Sequence, residues 1–142
     1  MTDYELLQRL AYLQKTLKKL KELGASAFDE FNSDFRVSDA ALYNLEVATE
    51  TVVDLANRVI TKRGGSHPRN RTETFRTLGT LGVIDKPVEM GLLKLALLRN
   101  TRANSYVDVN LQELYILLRN ELPIISKAVK ILRKELGMEE KR

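Results

Sequence analysis

The sequence predicts an all-α fold, an up-and-down helical bundle of about five helices forming one domain over residues 1–142. Three observations predict it. Apolar residues recur at three- and four-residue spacing rather than in alternation, as helices with one buried face require. Only 7 Gly and 3 Pro punctuate the chain, which leaves long stretches free of helix breakers. A length of 142 residues suffices for one hydrophobic core, and neither an internal repeat nor a low-complexity segment divides it.

The first helix carries the stripe Leu6, Leu10, Leu13, Leu17 and Leu20, opened by the capping-box pair Thr2 and Glu5 and closed by Gly24. Residues 25–37 set Phe28, Phe31 and Phe35 among Asp29, Glu30, Asn32, Ser33 and Asp34, and read as a loop or short helical turns pinned by aromatics. Ser38 is the expected cap of a long second helix with the stripe Leu42, Leu45, Ala48, Val52, Leu55, Ala56 and Val59, ending at Lys62-Arg63-Gly64-Gly65. A polar connection follows, then a short helix from about Thr72 to Leu81, stopped at Gly82. Asp85 and Pro87 suit the first turn of a fourth helix, whose Leu92, Leu93, Leu95, Ala96, Leu97 and Leu98 make it nearly all apolar and therefore central. The last stripe runs from Leu111 to Leu132, and Pro123 should kink or divide it. The tail 137–142 is expected to be frayed.

Composition narrows the chemistry. With no cysteine and a single histidine, disulfides, thiolate chemistry and a His-rich metal site within one chain are excluded. No apolar run approaches the roughly 20 residues of a bilayer span, so no membrane partner is expected. The acidic, amphipathic start does not read as a secretory signal, and the expected location is cytoplasmic. A balance of 23 Lys+Arg against 19 Asp+Glu permits an anionic partner without requiring one.

The segment Arg99-Asn100-Thr101-Arg102-Ala103-Asn104-Ser105-Tyr106 is the unusual one, because it places two guanidiniums, two carboxamides and a phenol directly after the most apolar helix. If the helix continues, Arg99, Arg102 and Tyr106 fall on one face and Asn100 and Asn104 on an adjoining one. Guanidinium forks suit bidentate phosphate recognition and the charge of a phosphoryl-transfer transition state. The same residues also suit helix capping and interfacial hydrogen bonds.

At this segment the chain resembles the HEPN superfamily, and specifically the HepT-type toxins that pair with small MNT nucleotidyltransferase antitoxins. Those proteins carry an Arg, usually followed by a polar residue, then a His five positions after the Arg and a Tyr two positions after the His; Arg99, Asn100 and Tyr106 fit that pattern. The resemblance runs from about Ser38 to Leu132 and takes in Ala56-Asn57, Gly82-Val83-Ile84 and Glu121-Leu122-Pro123. It implies a homodimer whose two motifs meet across a cleft, and metal-independent RNA cleavage with no cofactor in the protein itself. It further implies an MNT-type partner that uses ATP and Mg²⁺ to place AMP on Tyr106. The family histidine is replaced here by Asn104, which cannot titrate, so activity is expected to be lost or reduced. A natural inactive member, a substitution made to allow production of a toxic protein, and an altered mechanism all fit that replacement. A non-catalytic binding partner, or AMP acceptor, of the nucleotidyltransferase is the alternative function.

Outside the motif, Arg69 and Arg71 are candidate RNA contacts in the cationic connection around His67, which is itself read as solvated rather than catalytic. Lys15, Lys18, Lys19 and Lys21 read as the solvated face of the first helix. The phenylalanines of residues 25–37, together with Tyr43 and Tyr115, are expected to pack in the core.

Overall fold

The computed structural model describes residues 2–104 and 110–138, and the side chains of 99–104 lie outside that description. Among the described residues there are seven helices and no strand: α1 (Asp3–Gly24), α2 (Phe28–Ser33), α3 (Phe35–Lys62), α4 (Arg71–Thr80), α5 (Lys86–Asn104), α6 (Leu111–Asn120) and α7 (Leu122–Glu135). The count exceeds five for two reasons. Residues 25–37 hold a six-residue helix of their own, and Pro123 divides the last stripe. Pro123 has no N–H with which to continue the ladder of α6, so the chain turns at Glu121, whose backbone still closes α6 on the Leu117 carbonyl at 2.8 Å.

Helix starts follow side-chain acceptors. Thr2 and Glu5 form the expected capping box, Asn70 accepts from the Glu73 N–H at 2.9 Å, and Asp85 accepts from the Val88 N–H at 3.1 Å. Two boundaries differ from expectation. Helix α3 begins at Phe35 because Asp34 accepts from the Arg36 N–H at 3.0 Å, while Ser38 lies buried inside the first turns. Gly24 does not end α1 by a left-handed turn; it remains helical, and a Cβ there would stand 3.1 Å from Leu118 Cβ, so its role is close packing against α6. Gly64 and Gly82, with φ of 77° and 73°, supply the turns that stop α3 and α4.

The Asp34 cap carries a pH signature. Hydrogen bonds from Arg36, side chain first and backbone second, hold its carboxyl below the ordinary value of 3.8. A depressed folded-state value stabilises above the unfolded pKa and is lost as pH falls through the folded one. The melting-temperature gap between the parent and Asp34→Asn should therefore hold steady above about pH 4 and shrink below it. Thermal melts across that range check this, and a pH-independent gap would refute it.

Helices α1 and α3 lie antiparallel, with Arg9 paired to Asp54 and Arg58 Nη1 2.7 Å from Asp3 Oδ1. The core between them and α4 to α7 is apolar, with Leu6, Leu13, Phe31, Leu55, Phe75, Leu92, Leu114 and Leu132 all fully buried. Two of its buried threonines are satisfied within their own helix: Thr49 donates to the Leu45 carbonyl at 2.8 Å, and Thr51 to Val47 at 3.1 Å. Asn57 links helices instead, accepting from Thr74 of α4 at 3.2 Å. The aromatic expectation is corrected in part. Phe31 is buried and Phe28 and Tyr115 are half-buried, but Phe35 and Tyr43 are 71% and 64% exposed on the outer face of α3. Helix α5 is central along Val88, Leu92, Leu95 and Ala96, yet Leu97 and Met90 face outward, since a helix cannot bury its whole circumference on one side of a core. At the other end, Gly137 and Met138 close α7 on the Lys134 and Arg133 carbonyls, and the rest of the tail lies outside the described residues.

Candidate functional site at the end of helix α5

The backbone of α5 is helical through Asn104, so Arg99, Asn100, Arg102 and Asn104 occupy its last turns. In that register Arg99 and Arg102 share one face and Asn100 and Asn104 the adjoining one. Tyr106 lies outside the described residues, as do the side chains of the four helical positions.

Leu98, the residue before Arg99, sits between two recesses. One is a seam between α3, the start of α4 and α5, lined by Leu42, Leu45, Glu46, Thr49, Arg71, Leu95 and Leu98. The other is a groove of about 370 Å³ between α5 and α6, floored by the buried Leu98 and Leu117 and rimmed by Lys94, Glu113, Asn120 and Glu121. Lys94 Nζ lies 3.1 Å from Glu121 Oε1 and ties the far rim of that groove together. Leu97 and Ile116, at 57% and 47% exposed, form its open apolar lips.

The sequence-predicted cations divide between these surroundings. Arg71 belongs to the seam: its side chain is only 10% exposed, and its Nη2 pairs with Glu50 of α3. Arg69 stays outside it, 87% exposed and 3.2 Å from Glu73 along the start of α4. His67 is exposed in the α3–α4 connection, and Lys15, Lys18, Lys19 and Lys21 are exposed on α1. No group of three His, Asp or Glu among the described residues is placed to hold a metal ion. Nor is any described helix long and apolar enough to cross a membrane.

Sequence reading missed Glu46, Glu50 and the α5–α6 groove. Glu46 and Glu50 stand one turn apart on α3, a spacing that reads as an ordinary solvated face until α4 and α5 are folded against it.

Solved structures with this architecture are similar along nearly the whole chain. The tri-AMPylated HEPN toxin of Shewanella oneidensis, in complex with an MNT antitoxin, superposes with a TM-score of 0.81 at 21% identity, covering 94% of this chain and 99% of that one. A toxin–antitoxin complex with AMP-PNP gives 0.80 at 20% identity, covering 93% and 99%. Identity at this level establishes the shared fold. No curated protein matches by sequence. A family model described as Ribonuclease HepT-like matches residues 13–132, a span that takes in α2 to α6 and both recesses beside Leu98, and the chain belongs to that HepT-like family.

Proposed function

We propose that the protein is the toxin component of a toxin–antitoxin module, of the metal-independent ribonuclease type, with activity lowered by Asn104. One observation carries the reading: the family match spans residues 13–132 and includes a helix end at which Arg99, Asn100, Arg102 and Asn104 follow the central apolar face of α5. In this reading Arg99 engages the scissile phosphate and Asn100 orients it. Asn104 occupies the position of the base without acting as one, and Arg102 adds positive charge beside them. Arg69 offers an outer phosphate contact, because an exposed pair such as Arg69–Glu73 is weak enough to exchange for RNA. The working unit is a homodimer in which two motifs meet across a cleft. Cleavage needs no metal or cofactor of the protein's own. The test is metal-free RNA cleavage, which Asn104→His should gain and the double variant Asn104→His with Arg99→Ala should lose again.

The proposed partner is an MNT-type nucleotidyltransferase, which supplies ATP and Mg²⁺ and transfers AMP to the Tyr106 hydroxyl. The phenol oxygen attacks the α-phosphorus of ATP, a new phosphodiester forms, pyrophosphate leaves, and the phenolic proton passes to solvent or a base of the partner. Bulk and negative charge then stand beside Arg99. Incubation with such a partner and Mg·ATP should add the mass of one or more AMP groups to the intact protein and none to Tyr106→Phe. Equal labelling of Tyr106→Phe would remove Tyr106 from the role. Labelling of Tyr106 in a protein that stays unable to cut RNA even as Asn104→His would favour the second reading, a non-catalytic acceptor and binding partner.

A further inference from the structure

Charges on the surface are matched unevenly, and the excess of cations gathers on α7. Between Glu121 and Glu135 this helix carries Lys127, Lys130, Arg133 and Lys134 and no acidic residue. Lys127, Lys130 and Lys134, three and four residues apart, share its exposed face, opposite the buried Ile125, Ala128, Val129 and Leu132. The carboxylates at its two ends are already held from other helices. Glu121 pairs with Lys94 of α5 at 3.1 Å, and both oxygens of Glu135 accept from Arg63 at the end of α3, at 2.9 and 3.0 Å. Among the described residues none of the three exposed lysines is in an ion pair. The fold adds to this charge. Lys62 donates from Nζ to the Glu135 backbone carbonyl at 2.7 Å, so a cation from the end of α3, itself exposed, joins the end of the lysine face. Compensation of the helix dipole accounts for cations in the last turn, Arg133 and Lys134, but not for Lys127 and Lys130. From the Lys62–Arg63 corner the chain leads through His67 and the exposed Arg69 to Arg71, which pairs with Glu50 about 18 Å back along α3 at the helical rise.

Resting on the RNA reading above, we propose that the lysine face of α7 and the Lys62–Arg63 corner form a backbone-binding track for single-stranded RNA. Charge complementarity selects the partner. Exposed, uncompensated ammonium groups on a fixed helix bind a polyanion by displacing the counterions of its phosphates, without reading its sequence. Lysine is depleted from protein–protein interfaces, and α7 offers no aromatic side chain to anchor one. A membrane surface would need the apolar face of α7, which is buried in the core. The track holds RNA away from the end of α5, and the α3–α4 connection leads from one to the other.

The test is fluorescence anisotropy with a short labelled single-stranded RNA at several salt concentrations. It compares the parent with the triple variant Lys127→Gln, Lys130→Gln, Lys134→Gln and with the triple variant Lys15→Gln, Lys18→Gln, Lys19→Gln on the exposed face of α1. Both variants lose the same net charge, so they separate a local contact from a change in overall charge. Thermal melts check folding, since substitutions of exposed side chains leave stability nearly unchanged. The α7 variant should bind roughly 10- to 100-fold more weakly at about 0.1 M salt, with a log–log slope shallower by about 2, the loss of three phosphate contacts. The α1 variant should stay within about threefold of the parent. Equal losses in the two variants, or none in either, would make the α7 lysines an ordinary solvated face, and this proposal fails while the RNA reading stands. Unchanged RNA binding by an α7 variant that no longer associates with the nucleotidyltransferase would assign the face to an acidic protein and overturn the proposal as well. If the parent itself binds no RNA, both fall.

Discussion

Asn104→His is expected to raise metal-free RNA cleavage near neutral pH by about 100- to 10,000-fold, the range that a positioned general base contributes. The reaction needs a ribose 2′-hydroxyl to attack the adjacent phosphorus: the 2′-oxygen–phosphorus bond forms, the bond to the 5′-oxygen breaks, and the 2′-proton must leave as the attack proceeds. A carboxamide cannot accept that proton, whereas an imidazole with a pKa near 6.5 can take it and return it to the departing oxygen. In the proposed mechanism Arg99 stabilises the phosphorane, in which negative charge accumulates. The double variant Asn104→His with Arg99→Ala should therefore fall back towards background, which also excludes a contaminating nuclease. Cleavage by the histidine variant should vary with pH near the imidazole pKa, and whatever the parent does should not. Arg99-dependent cleavage by the parent at a comparable rate would show that Asn104 is not a missing base. Failure of both folded proteins to cut would move the balance to a binding partner of the nucleotidyltransferase.

Local signals in the sequence anticipated much of the helical order because they act within one turn. The Thr2–Glu5 box, the Asp85 cap and the break at Pro123 each depend on hydrogen-bonding groups three or four residues apart, and each is where the spacing placed it. What escaped depends on partners distant in sequence. Gly24 looks like a stop signal but is kept small by Leu118. Phe35 and Tyr43 look like core residues but face outward, because the partners of α3, chiefly α1, α7 and α4, pack on its other faces. The site divides in the same way. Its motif was legible as a run of polar residues ending an apolar helix, whereas the seam beside it was not, since Arg71 and Glu50 meet across 21 positions of chain. Leu97 illustrates the point from the other side: within a nearly uniform apolar run, no periodicity could mark it as the exposed lip of a groove.

Phe31→Ala is expected to cost about 3–5 kcal/mol, the largest loss of stability from any single truncation among the aromatics of residues 25–37. Phe31 is fully buried, and its ring centroid lies 5.2 Å from that of Tyr115 at an interplanar angle of 56°. Phe28 meets the same ring edge-on, also at 5.2 Å. The tyrosine hydroxyl donates to the Ser26 carbonyl at 2.7 Å, and Arg119 donates to the Gly24 carbonyl at 2.9 Å and to the Tyr115 oxygen at 3.1 Å. This cluster fastens α6 to the corner between α1 and α2. Helix α6 in turn forms one wall of the groove and receives the chain after Tyr106, so the cluster holds the far side of the site in place. Removing Phe31 leaves a cavity beside the half-buried Tyr115 ring, and the melting temperature should fall by roughly 10 °C or more. Phe35→Ala, at a position 71% exposed, should change stability by no more than about 0.5 kcal/mol. Circular dichroism melts of the two variants beside the parent decide the matter. Equal losses at the two positions would mean that α2 does not bury its aromatic face against α6, and that the groove wall is held by helices other than α2, with α1 foremost.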